Sequence, residues 1–268
     1  MSVARTDQAA KLRVEGVSRV FRGPRGGETV ALAPTDLTVA ANDFITILGP
    51  SGCGKSTLLR IVAGLDRPSS GRVLLNGKPV IGPGPDRGMV FQSYTLFPWL
   101  TVGQNIAFGL RERNVPTREQ ADIVDTYLGR MGLKGFEHHL PRQLSGGMQQ
   151  RTAIARALAN DPDILLMDEP FGALDNQTRA LMQELLLDIW ERDRKTVLFV
   201  THDIEEAIFM ASRVVVMTAR PGRIKADVPV DLPHPRRYTI KTTPEFNALK
   251  ARLTEEIRVE AVLAAQAG

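Results

Sequence analysis

The chain has 268 residues, of which 43% are hydrophobic and 24% charged, so it is long enough for one large domain or two small ones with ample cores. No apolar run is long enough to cross a bilayer, the N-terminus lacks the hydrophobic segment of a signal peptide, and the single cysteine excludes an internal disulfide framework. The net charge of +4 comes without a dense block of Lys and Arg, so we expect an ordinary solvated surface and a cytosolic protein that meets a membrane only through a partner.

The chain begins with a predicted disordered tail, residues 1–11, followed by two predicted strands. Residues 12–21 and 29–39 alternate apolar and polar side chains, and a turn rich in Gly and Pro separates them. Strands that alternate in this way have one solvated face and usually pair antiparallel. The sequence therefore predicts a small antiparallel sheet at the N-terminus.

The next segment, GPSGCGKST, matches the phosphate-binding pattern G-x-x-x-x-G-K-[ST]. It follows the apolar run 44–48 and precedes a helical pattern at 57–62, which is the strand–loop–helix context that the pattern requires. Glycines let backbone N–H groups turn inward around an anion, and the helix start adds its own free N–H groups. We predict that Lys55 reaches the outer phosphates of a nucleoside triphosphate and that the Ser56 hydroxyl binds Mg²⁺. The predicted phosphate loop comprises Gly49, Pro50, Ser51, Gly52, Cys53, Gly54, Lys55, Ser56 and Thr57.

Three later apolar runs share the design of residues 44–48, and they lie at 89–91, 164–167 and 197–200. Apolar runs without clear alternation are typical of strands covered on both faces, as in a parallel sheet. Ligands of open α/β sheets bind outside the carboxyl ends of the strands, so we predict that these strand ends converge on one crevice. The polar residues that follow the three later runs are Gln92, the pair Asp168 and Glu169, and Thr201, His202 and Asp203.

Two of these strand ends carry candidate catalytic groups. An aspartate placed like Asp168 holds Mg²⁺ in P-loop enzymes. Glu169 is predicted to orient and deprotonate an attacking water. His202 either caps its strand or contacts the γ-phosphate or the same water, and the second interpretation is favoured because a neutral imidazole both donates and accepts hydrogen bonds.

Between Gln92 and Asp168 the chain carries a long insertion whose second half is predicted to be helical. Apolar residues recur at helical spacing in 117–131 and again in 145–158, and Pro141 lies between the two patterns. The sequence therefore predicts an inserted helical subdomain.

The second of these helices begins with an unusual segment, LSGGM. Ser145 is a good N-cap, and capping alone is one explanation for it. Gly146 and Gly147 leave the N–H groups of the helix start uncovered, which predicts a second anion site. Because the chain has two phosphate-binding devices and one complete metal site, we predict that the second device completes a site on another copy.

The C-terminal part is predicted to contain a helix at 204–211, an apolar run at 214–217, a Pro-rich stretch and a final amphipathic helix. We expect that last helix to pack onto its own domain, as amphipathic surface helices usually do, in preference to regulating through a partner. Its apolar positions are Phe246, Leu249, Leu253, Ile257 and Leu263.

Together these motifs resemble the ATP-binding subunit of an ATP-binding-cassette (ABC) transporter, over residues 11 to about 220. In that family's terms GPSGCGKST is the Walker A loop, LSGGM the signature and 164–169 Walker B. The resemblance implies an α/β fold, namely a P-loop NTPase core of the RecA-like kind with a mainly parallel sheet, an antiparallel β subdomain and an inserted helical subdomain. It also implies an ATP-binding domain at 12–240, with the helical subdomain at about 93–160, and a helical tail at 241–268.

The resemblance assigns roles to single residues. Gln92 corresponds to the Q-loop glutamine, Asp175 lies in the D-loop, His202 is the switch histidine, and Phe21 takes the place of the aromatic residue that stacks on adenine. Met148 departs from the commoner glutamine of the signature, with no loss of activity expected. The implied catalytic residues are Glu169, His202 and Gln92; the implied Mg²⁺ ligands are Ser56, Gln92 and Asp168; the implied ATP contacts are Phe21, the phosphate loop, Ser145, Gly146, Gly147 and Asp175.

The resemblance also implies a mechanism and partners. Two copies would sandwich two ATP molecules head to tail, and hydrolysis would drive permease subunits at the cytoplasmic face of the plasma membrane, where the chain would be peripheral. A solute-binding protein would belong to the same complex, and nucleic acid would not. Residues 93–101, with the apolar side chains Phe97, Pro98 and Trp99, either border the groove for the permease or cover the subdomain's own core.

Three segments, 93–110, 219–224 and 232–236, resemble the importer subgroup for nitrate, sulfonate, taurine and bicarbonate. Substrate choice resides in the partners, so these segments do not identify the solute. The alternative function is that of a soluble ABC-type ATPase acting on nucleic acid or ribosomes, but such proteins usually fuse two cassettes or insert coiled coils. A small P-loop GTPase or kinase is disfavoured because the chain has no N-K-x-D guanine motif and because such a protein would leave the LSGGM helix unexplained.

Overall fold

The computed structural model describes residues 10–23 and 26–266, apart from the side chains of residues 261 and 263–266. The strands in this part of the chain are β1 (Ala10–Arg22), β2 (Glu28–Ala40), β3 (Phe44–Leu48), β4 (Ser70–Leu75), β5 (Lys78–Pro79), β6 (Arg87–Val90), β7 (Ile164–Asp168), β8 (Thr196–Thr201), β9 (Arg213–Met217) and β10 (Ile224–Pro229). The α-helices are α1 (Lys55–Val62), α2 (Val102–Glu112), α3 (Thr117–Arg130), α4 (Gly146–Ala159), α5 (Asn176–Asp193), α6 (Ile204–Met210) and α7 (Pro244–Gln266), and short 3₁₀ helices lie at Pro141–Gln143 and Tyr238–Thr242.

The described residues form two compact units. The first contains the chain up to Gly84 together with the chain from Arg194 onward, and the second is Pro85–Asp193. Both contain parallel strands with helices, so the α/β class predicted from the sequence is confirmed. None of the helices in the described ranges combines the length and hydrophobicity that a membrane span needs.

The first unit contains the predicted antiparallel sheet. Its strands lie in the order β2, β1, β4, β5, and β1 pairs antiparallel with both β2 and β4. The predicted tail was too long, because Ala10 already pairs with Ala40 at the start of β1. Residues 1–9 of that predicted tail lie outside the described part.

The first unit also contains the strands that support the phosphate loop. Strands β10, β9, β3 and β8 lie side by side in this order, with β3 parallel to β8 and β9, and β10 antiparallel to β9. Every residue of β3 and β8 is buried. Burial on both faces explains why these segments show continuous apolar runs without alternation.

The C-terminal segment packs onto the first unit as expected. Phe246 and Leu253 of α7 are fully buried, and the Lys250 ammonium lies 2.5 Å from the Glu205 carboxylate in α6. The side chain of Leu263, named in the sequence prediction, lies outside the described residues. Upstream of α7, the buried Arg236 satisfies backbone carbonyls at the end of α6 and in the following segment, where helix ends need partners. Its guanidinium donates to the carbonyl oxygens of Ile208, Phe209, Ala211, Val230 and Leu232.

The second unit is mainly helical around two parallel strands, β6 and β7. Helices α3 and α4 occupy the two segments for which the sequence predicted helices. Helices α2 and α5 were not predicted, although α2 begins with a capping box in which Thr101 and Gln104 bond each other's backbone N–H groups. The Leu128 and Met131 side chains at the end of α3 are buried, as their helical spacing indicated.

Candidate nucleotide-binding site

The phosphate loop joins buried β3 to α1, and its glycines are required by close backbone packing. A Cβ on Gly49 would lie 2.9 Å from the Cys53 sulfur and 3.2 Å from the Met217 carbonyl oxygen. Gly54 has a φ of 100°, and a Cβ there would lie 2.8 Å from the carbonyl oxygen of Ala31. Side chains at these positions would force the loop apart, so the loop can keep its tight curvature only with glycine.

Lys55 lies inside this loop. The residue is only 5% exposed, and its ammonium donates hydrogen bonds to the carbonyl oxygens of Gly49 and Pro50, each at 2.9 Å. Helix α1 starts here on Gly54, which has no side chain to cover the first N–H groups. The loop therefore places a buried cation beside the N–H groups of a helix start, an arrangement that can bind an anion.

A turn that follows β9, residues 218–223, supports the phosphate loop; we call it the supporting turn. The Arg220 guanidinium donates to the Gly52 carbonyl oxygen at 3.3 Å. Gly222 packs so closely on the loop that a Cβ would overlap the carbonyl oxygen of Cys53. The Gly222 N–H also donates to the Ala31 carbonyl at 3.1 Å. Sequence reasoning missed this role and used the segment 219–224 only as a subgroup resemblance, although its Pro-Gly pair signals a turn.

Cys53 belongs to the phosphate loop, with its sulfur close to Gly49 and its carbonyl against Gly222 of the supporting turn. It is 1% exposed. Burial raises the pKa of the Cys53 thiol, and the nearby Lys55 ammonium opposes that shift only in part. Because the thiolate is the reactive form, the Cys53 thiol is a weak nucleophile in the folded protein.

Phe21, the predicted adenine-stacking residue, lies at the end of β1 and is 41% exposed. The Arg19 guanidinium carbon lies 4.6 Å from the centroid of the Phe21 ring and covers one face. Arg19 is held there by the Asp66 carboxylate at 2.9 Å and by the Arg67 carbonyl at 2.8 Å. β1 pairs with β2, and β2 contacts the phosphate loop through Ala31 at Gly54. One strand thus separates the aromatic ring from the loop.

His202 is placed at the same edge of the first unit as the phosphate loop. Thr201 of β8 pairs in register with Leu48 of β3, so His202 follows β8 where Gly49 follows β3. The turn is fixed by Thr201, whose hydroxyl donates to the Glu206 carboxylate at 2.5 Å and accepts from the Asp203 N–H at 3.0 Å. The structure therefore brings His202 and the phosphate loop together at the carboxyl ends of parallel strands, as predicted.

The second unit brings Gln92, Asp168 and Glu169 to one edge in the same way. Val90 of β6 pairs with Met167 of β7 in a parallel register, so these residues follow neighbouring strand ends. Glu169 has a φ of 43°, an uncommon value for a residue other than glycine, and its carbonyl accepts from the Gly172 N–H at 3.1 Å. This backbone turn directs Glu169 away from the path of β7 immediately after Asp168.

The signature segment begins α4, and Ser145 caps it as predicted. The Ser145 hydroxyl accepts from the Met148 N–H at 3.3 Å. The two glycines have a packing role that the sequence analysis did not foresee. A Cβ on Gly146 would lie 2.9 Å from the Tyr94 hydroxyl, and one on Gly147 would lie 2.8 Å from a methyl of Thr178.

Asp175 stands at the start of α5 in the same unit. Its carboxylate accepts from the N–H groups of Thr178 at 3.0 Å and Gln177 at 3.1 Å. The hydrogen bonds from Thr178, and then that from Gln177, lower the pKa of Asp175. The carboxylate is therefore held as a charged cap on the helix start.

The aromatic residues of the segment after Gln92 have different surroundings. Phe97 packs into its own unit, with its ring centroid 4.3 Å from that of Phe108. Trp99 remains 71% exposed, and Pro98 beside it is also exposed. Phe97 thus covers the core of the unit, and Trp99 with Pro98 forms a free apolar surface.

Comparison with known proteins identifies the family. The ABC transporter family model matches residues 32–172, more than half of the chain. The chain is 48% identical to the nitrate import ATP-binding protein of Synechocystis sp., over 91% of this chain and 97% of that protein. It is 47% identical to the aliphatic sulfonates import ATP-binding protein of Bacillus licheniformis, over 90% and 92% of the two chains.

A solved structure agrees with these relatives. An ATP-binding cassette in a dimeric post-hydrolysis state with bound ADP and Pi superposes with a TM-score of 0.73 at 33% identity, over 82% of this chain and 99% of that one. The resemblance recognised in the sequence motifs is confirmed, and with it the P-loop ATPase fold. The chain belongs to the ATP-binding proteins of ABC transporters, a family that hydrolyses ATP to power transport.

Proposed function

We propose that this ATPase energises the import of a small anionic solute, such as nitrate, a sulfonate or taurine, through a membrane permease. The observation that carries the proposal is the nearly full-length similarity to two ATP-binding proteins named for nitrate and aliphatic sulfonate import. Both solutes are small oxyanions, which is why we propose their chemical class and not one member of it. No observation favours the alternative role on nucleic acid or ribosomes.

Within the first unit, the proposed ATP contacts follow the geometry of the phosphate loop. Lys55 and the N–H groups at the start of α1 bind the triphosphate, and adenine stacks on the ring face of Phe21 that Arg19 leaves open. The supporting observation is that the loop, Phe21 and His202 all belong to the same unit. His202 then contacts the γ-phosphate or the attacking water.

The second unit supplies the remaining proposed groups. Glu169 is the general base that orients and deprotonates the attacking water. Gln92 is a further catalytic residue of the same site. Ser145, Gly146 and Gly147, together with Asp175, contact an ATP molecule held by a second copy. The dimeric state of the similar cassette bound to ADP and Pi supports a head-to-tail pair.

Mg²⁺ fits the residues proposed to hold it. Ser56, Gln92 and Asp168 offer oxygen donors, which Mg²⁺ prefers. Among residues 10–23 and 26–266 there is no group of three or more His, Cys, Asp or Glu side chains able to hold a metal alone. Mg²⁺ in nucleotide sites usually binds through one or two protein ligands and completes its shell with phosphates and water. When bound, Mg²⁺ neutralises charge on the β- and γ-phosphate oxygens.

The proposed assembly places the chain as a peripheral subunit at the cytoplasmic face of the plasma membrane. Exposed Trp99 with Pro98 is the proposed contact for the permease, because large exposed aromatics are typical interface anchors. A solute-binding protein joins through the permease. We retain the domain limits 12–240, 93–160 and 241–268 as proposals for the ATP-binding domain, its helical subdomain and the C-terminal tail.

Substitution of Glu169 by Gln tests the catalytic part of the proposal. The amide keeps the size of the side chain but cannot accept a proton, so hydrolysis should fall by about 100-fold or more. ATP binding should persist, and an ATP-bound dimer should accumulate on gel filtration. Glu112→Gln at the exposed end of α2 is the matched control, and it should hydrolyse ATP at the normal rate. Normal hydrolysis by Glu169→Gln would exclude Glu169 as the base.

Co-purification tests the transport part. Affinity capture of the full chain from its native membrane should recover a permease, and the captured complex should show ATPase activity stimulated by nitrate or a sulfonate. Recovery of ribosomes or nucleic acid in place of a permease would contradict the proposal.

A further inference from the structure

The supporting turn is held by hydrogen bonds and packs against one side of the phosphate loop. Within the turn, the Thr218 hydroxyl donates to the Pro221 carbonyl and accepts from the Arg223 N–H, at 3.0 and 3.1 Å. The turn also bonds to β2, where the Ala33 N–H donates to the Gly222 carbonyl at 2.8 Å. These bonds brace the turn internally and connect it to β2, so a displacement of the turn would also act on the loop that it touches.

One end of the supporting turn is fixed by the C-terminal helix. Glu260 of α7 is 4% exposed, and its carboxylate accepts a hydrogen bond from the Ala219 N–H at 2.8 Å. The same carboxylate lies 2.9 Å from the Lys225 ammonium. A buried carboxylate is tolerated only when it is paired and hydrogen-bonded, and both conditions hold here.

The charge of Glu260 persists at neutral pH. Burial by itself would raise the pKa of Glu260, but the hydrogen bond from Ala219 and the ammonium of Lys225 outweigh burial, and the pKa is lowered. The acceptor for the Ala219 N–H is therefore an anionic oxygen, which makes a stronger hydrogen bond than a neutral one.

The contacts form an unbroken path from α7 to the phosphate loop. Glu260 holds Ala219, the next residue Arg220 donates to the Gly52 carbonyl, and Gly222 abuts the Cys53 carbonyl. Gly52 itself has a φ of 75°, which glycine adopts without strain but also leaves easily, so its contacts help to fix the loop conformation. Preorganised N–H groups bind an anion best when the loop does not have to reorganise on binding.

We infer that Glu260 is a positioning residue for the ATP site, acting through the supporting turn to hold the phosphate loop in its binding shape. The inference rests on the proposed role of residues 49–57 as the ATP-phosphate site. It assigns a function to the C-terminal helix, whose buried face would otherwise serve only stability.

Three variants of the full chain test whether Glu260 acts by positioning the phosphate loop, by stabilising the fold or through its charge. Glu260→Ala removes the acceptor for the Ala219 N–H, whereas Glu260→Gln keeps an acceptor oxygen and removes the charge. Glu256→Ala is the matched control, because Glu256 lies one turn earlier on α7 and also pairs with Lys225 at 3.1 Å, yet it belongs to no contact of the supporting turn given above. We expect Glu260→Ala to raise the KM for ATP about fivefold, the size of effect for one lost hydrogen bond, with kcat nearly unchanged. Glu256→Ala should stay near the parent, and Glu260→Gln should raise the KM less than Glu260→Ala does, because a neutral oxygen still accepts from the Ala219 N–H but more weakly than an anionic one.

A second measurement reports on the loop without ATP. The buried Cys53 thiol should react slowly with N-ethylmaleimide in the parent protein, and several times faster in Glu260→Ala because the loop and turn separate more often. Equal acceleration in Glu256→Ala, which keeps the acceptor for the Ala219 N–H, would attribute the effect to loss of an ion pair with Lys225 and overturn the inference. Arg220→Met, which removes the exposed contact to Gly52, should also raise the KM for ATP. This variant tests the same path if Glu260→Ala does not fold.

The outcomes distinguish this inference from the proposed function. A Glu260→Ala variant with a lower melting temperature but unchanged KM and unchanged Cys53 reactivity would show that Glu260 is only structural. If ATP fails to protect Cys53 in the parent protein, the assignment of residues 49–57 as the ATP site is wrong. In that case the alkylation rates of the ATP-free variants still show whether Glu260 positions the loop.

Discussion

At the scale of single residues, the nucleotide site depends on side chains that support other side chains. Arg19 covers one face of Phe21 and is itself held by Asp66 and Arg67. A cation above one face of an aromatic ring is attracted by the ring's electrons and restricts its orientation. In the proposed site, adenine can therefore stack only on the opposite face of the ring.

Substitutions at Phe21 and Arg19 test this arrangement. Phe21→Ala should weaken ATP binding about tenfold, since stacking of a base on an aromatic ring contributes about 1–3 kcal/mol. Arg19→Met should weaken it about two- to fivefold, the range expected for an exposed cation–π contact. Arg22→Met, on the same strand and paired with Glu28, is the control and should bind normally. Binding is measured by calorimetry, and unchanged affinity in Phe21→Ala would place adenine elsewhere.

Single residues also differ in how far their roles could be predicted from the sequence. Lys55 and Gly54 were predicted because their chemistry follows from adjacent residues in one strand–loop–helix pattern. Gly146 and Gly147 were interpreted as glycines that expose a helix start, yet they also make room for Tyr94 and Thr178. Those neighbours lie roughly 30 to 50 positions away in the chain, and spacing within one motif carries no information about such contacts.

At the scale of elements, buried strands were predicted and weakly patterned elements were not. Strands β3, β7 and β8 form continuous apolar runs because they are covered on both faces. Strand β10 was missed because its exposed residues and Pro229 hide it within a Pro-rich stretch, and its pairing with β9 is what makes it a strand. The supporting turn was missed for the same reason, since its role depends on contacts with the distant phosphate loop.

Substitution of Gly222 by Ala tests how closely the supporting turn packs against the phosphate loop. Gly222→Ala would place a Cβ against the Cys53 carbonyl oxygen, which belongs to the backbone and cannot rotate away. We expect ATP affinity to fall about tenfold and the melting temperature to drop by several degrees, as overpacking usually costs about 1–3 kcal/mol. Gly82→Ala is the control, because a Cβ there meets nothing within 4 Å. A Gly222→Ala protein with normal affinity and stability would show that the loop readily moves aside.

At the scale of the whole molecule, the two proposed phosphate-binding segments belong to different units of one chain. The phosphate loop belongs to the first unit, and the start of α4 belongs to the second. In the proposed head-to-tail pair each ATP is held by the loop of one copy and the signature of the other. Such a site depends on association, so ATP acts both as the substrate and as the link between the copies.

Mixing two inactive variants tests this sharing directly. Lys55→Ala disables the phosphate loop, and Ser145→Arg blocks the exposed start of α4, so each variant alone should lack ATPase activity. A mixed dimer keeps one intact site, formed by the loop of the Ser145→Arg copy and the signature of the Lys55→Ala copy. An equal mixture that exchanges subunits should therefore recover about a quarter of the parent rate, because half of the dimers are mixed and each retains one of two sites. Replacing the Ser145→Arg partner by a copy that carries both substitutions should abolish the recovery. If each copy instead completes its own site, no mixture will regain activity.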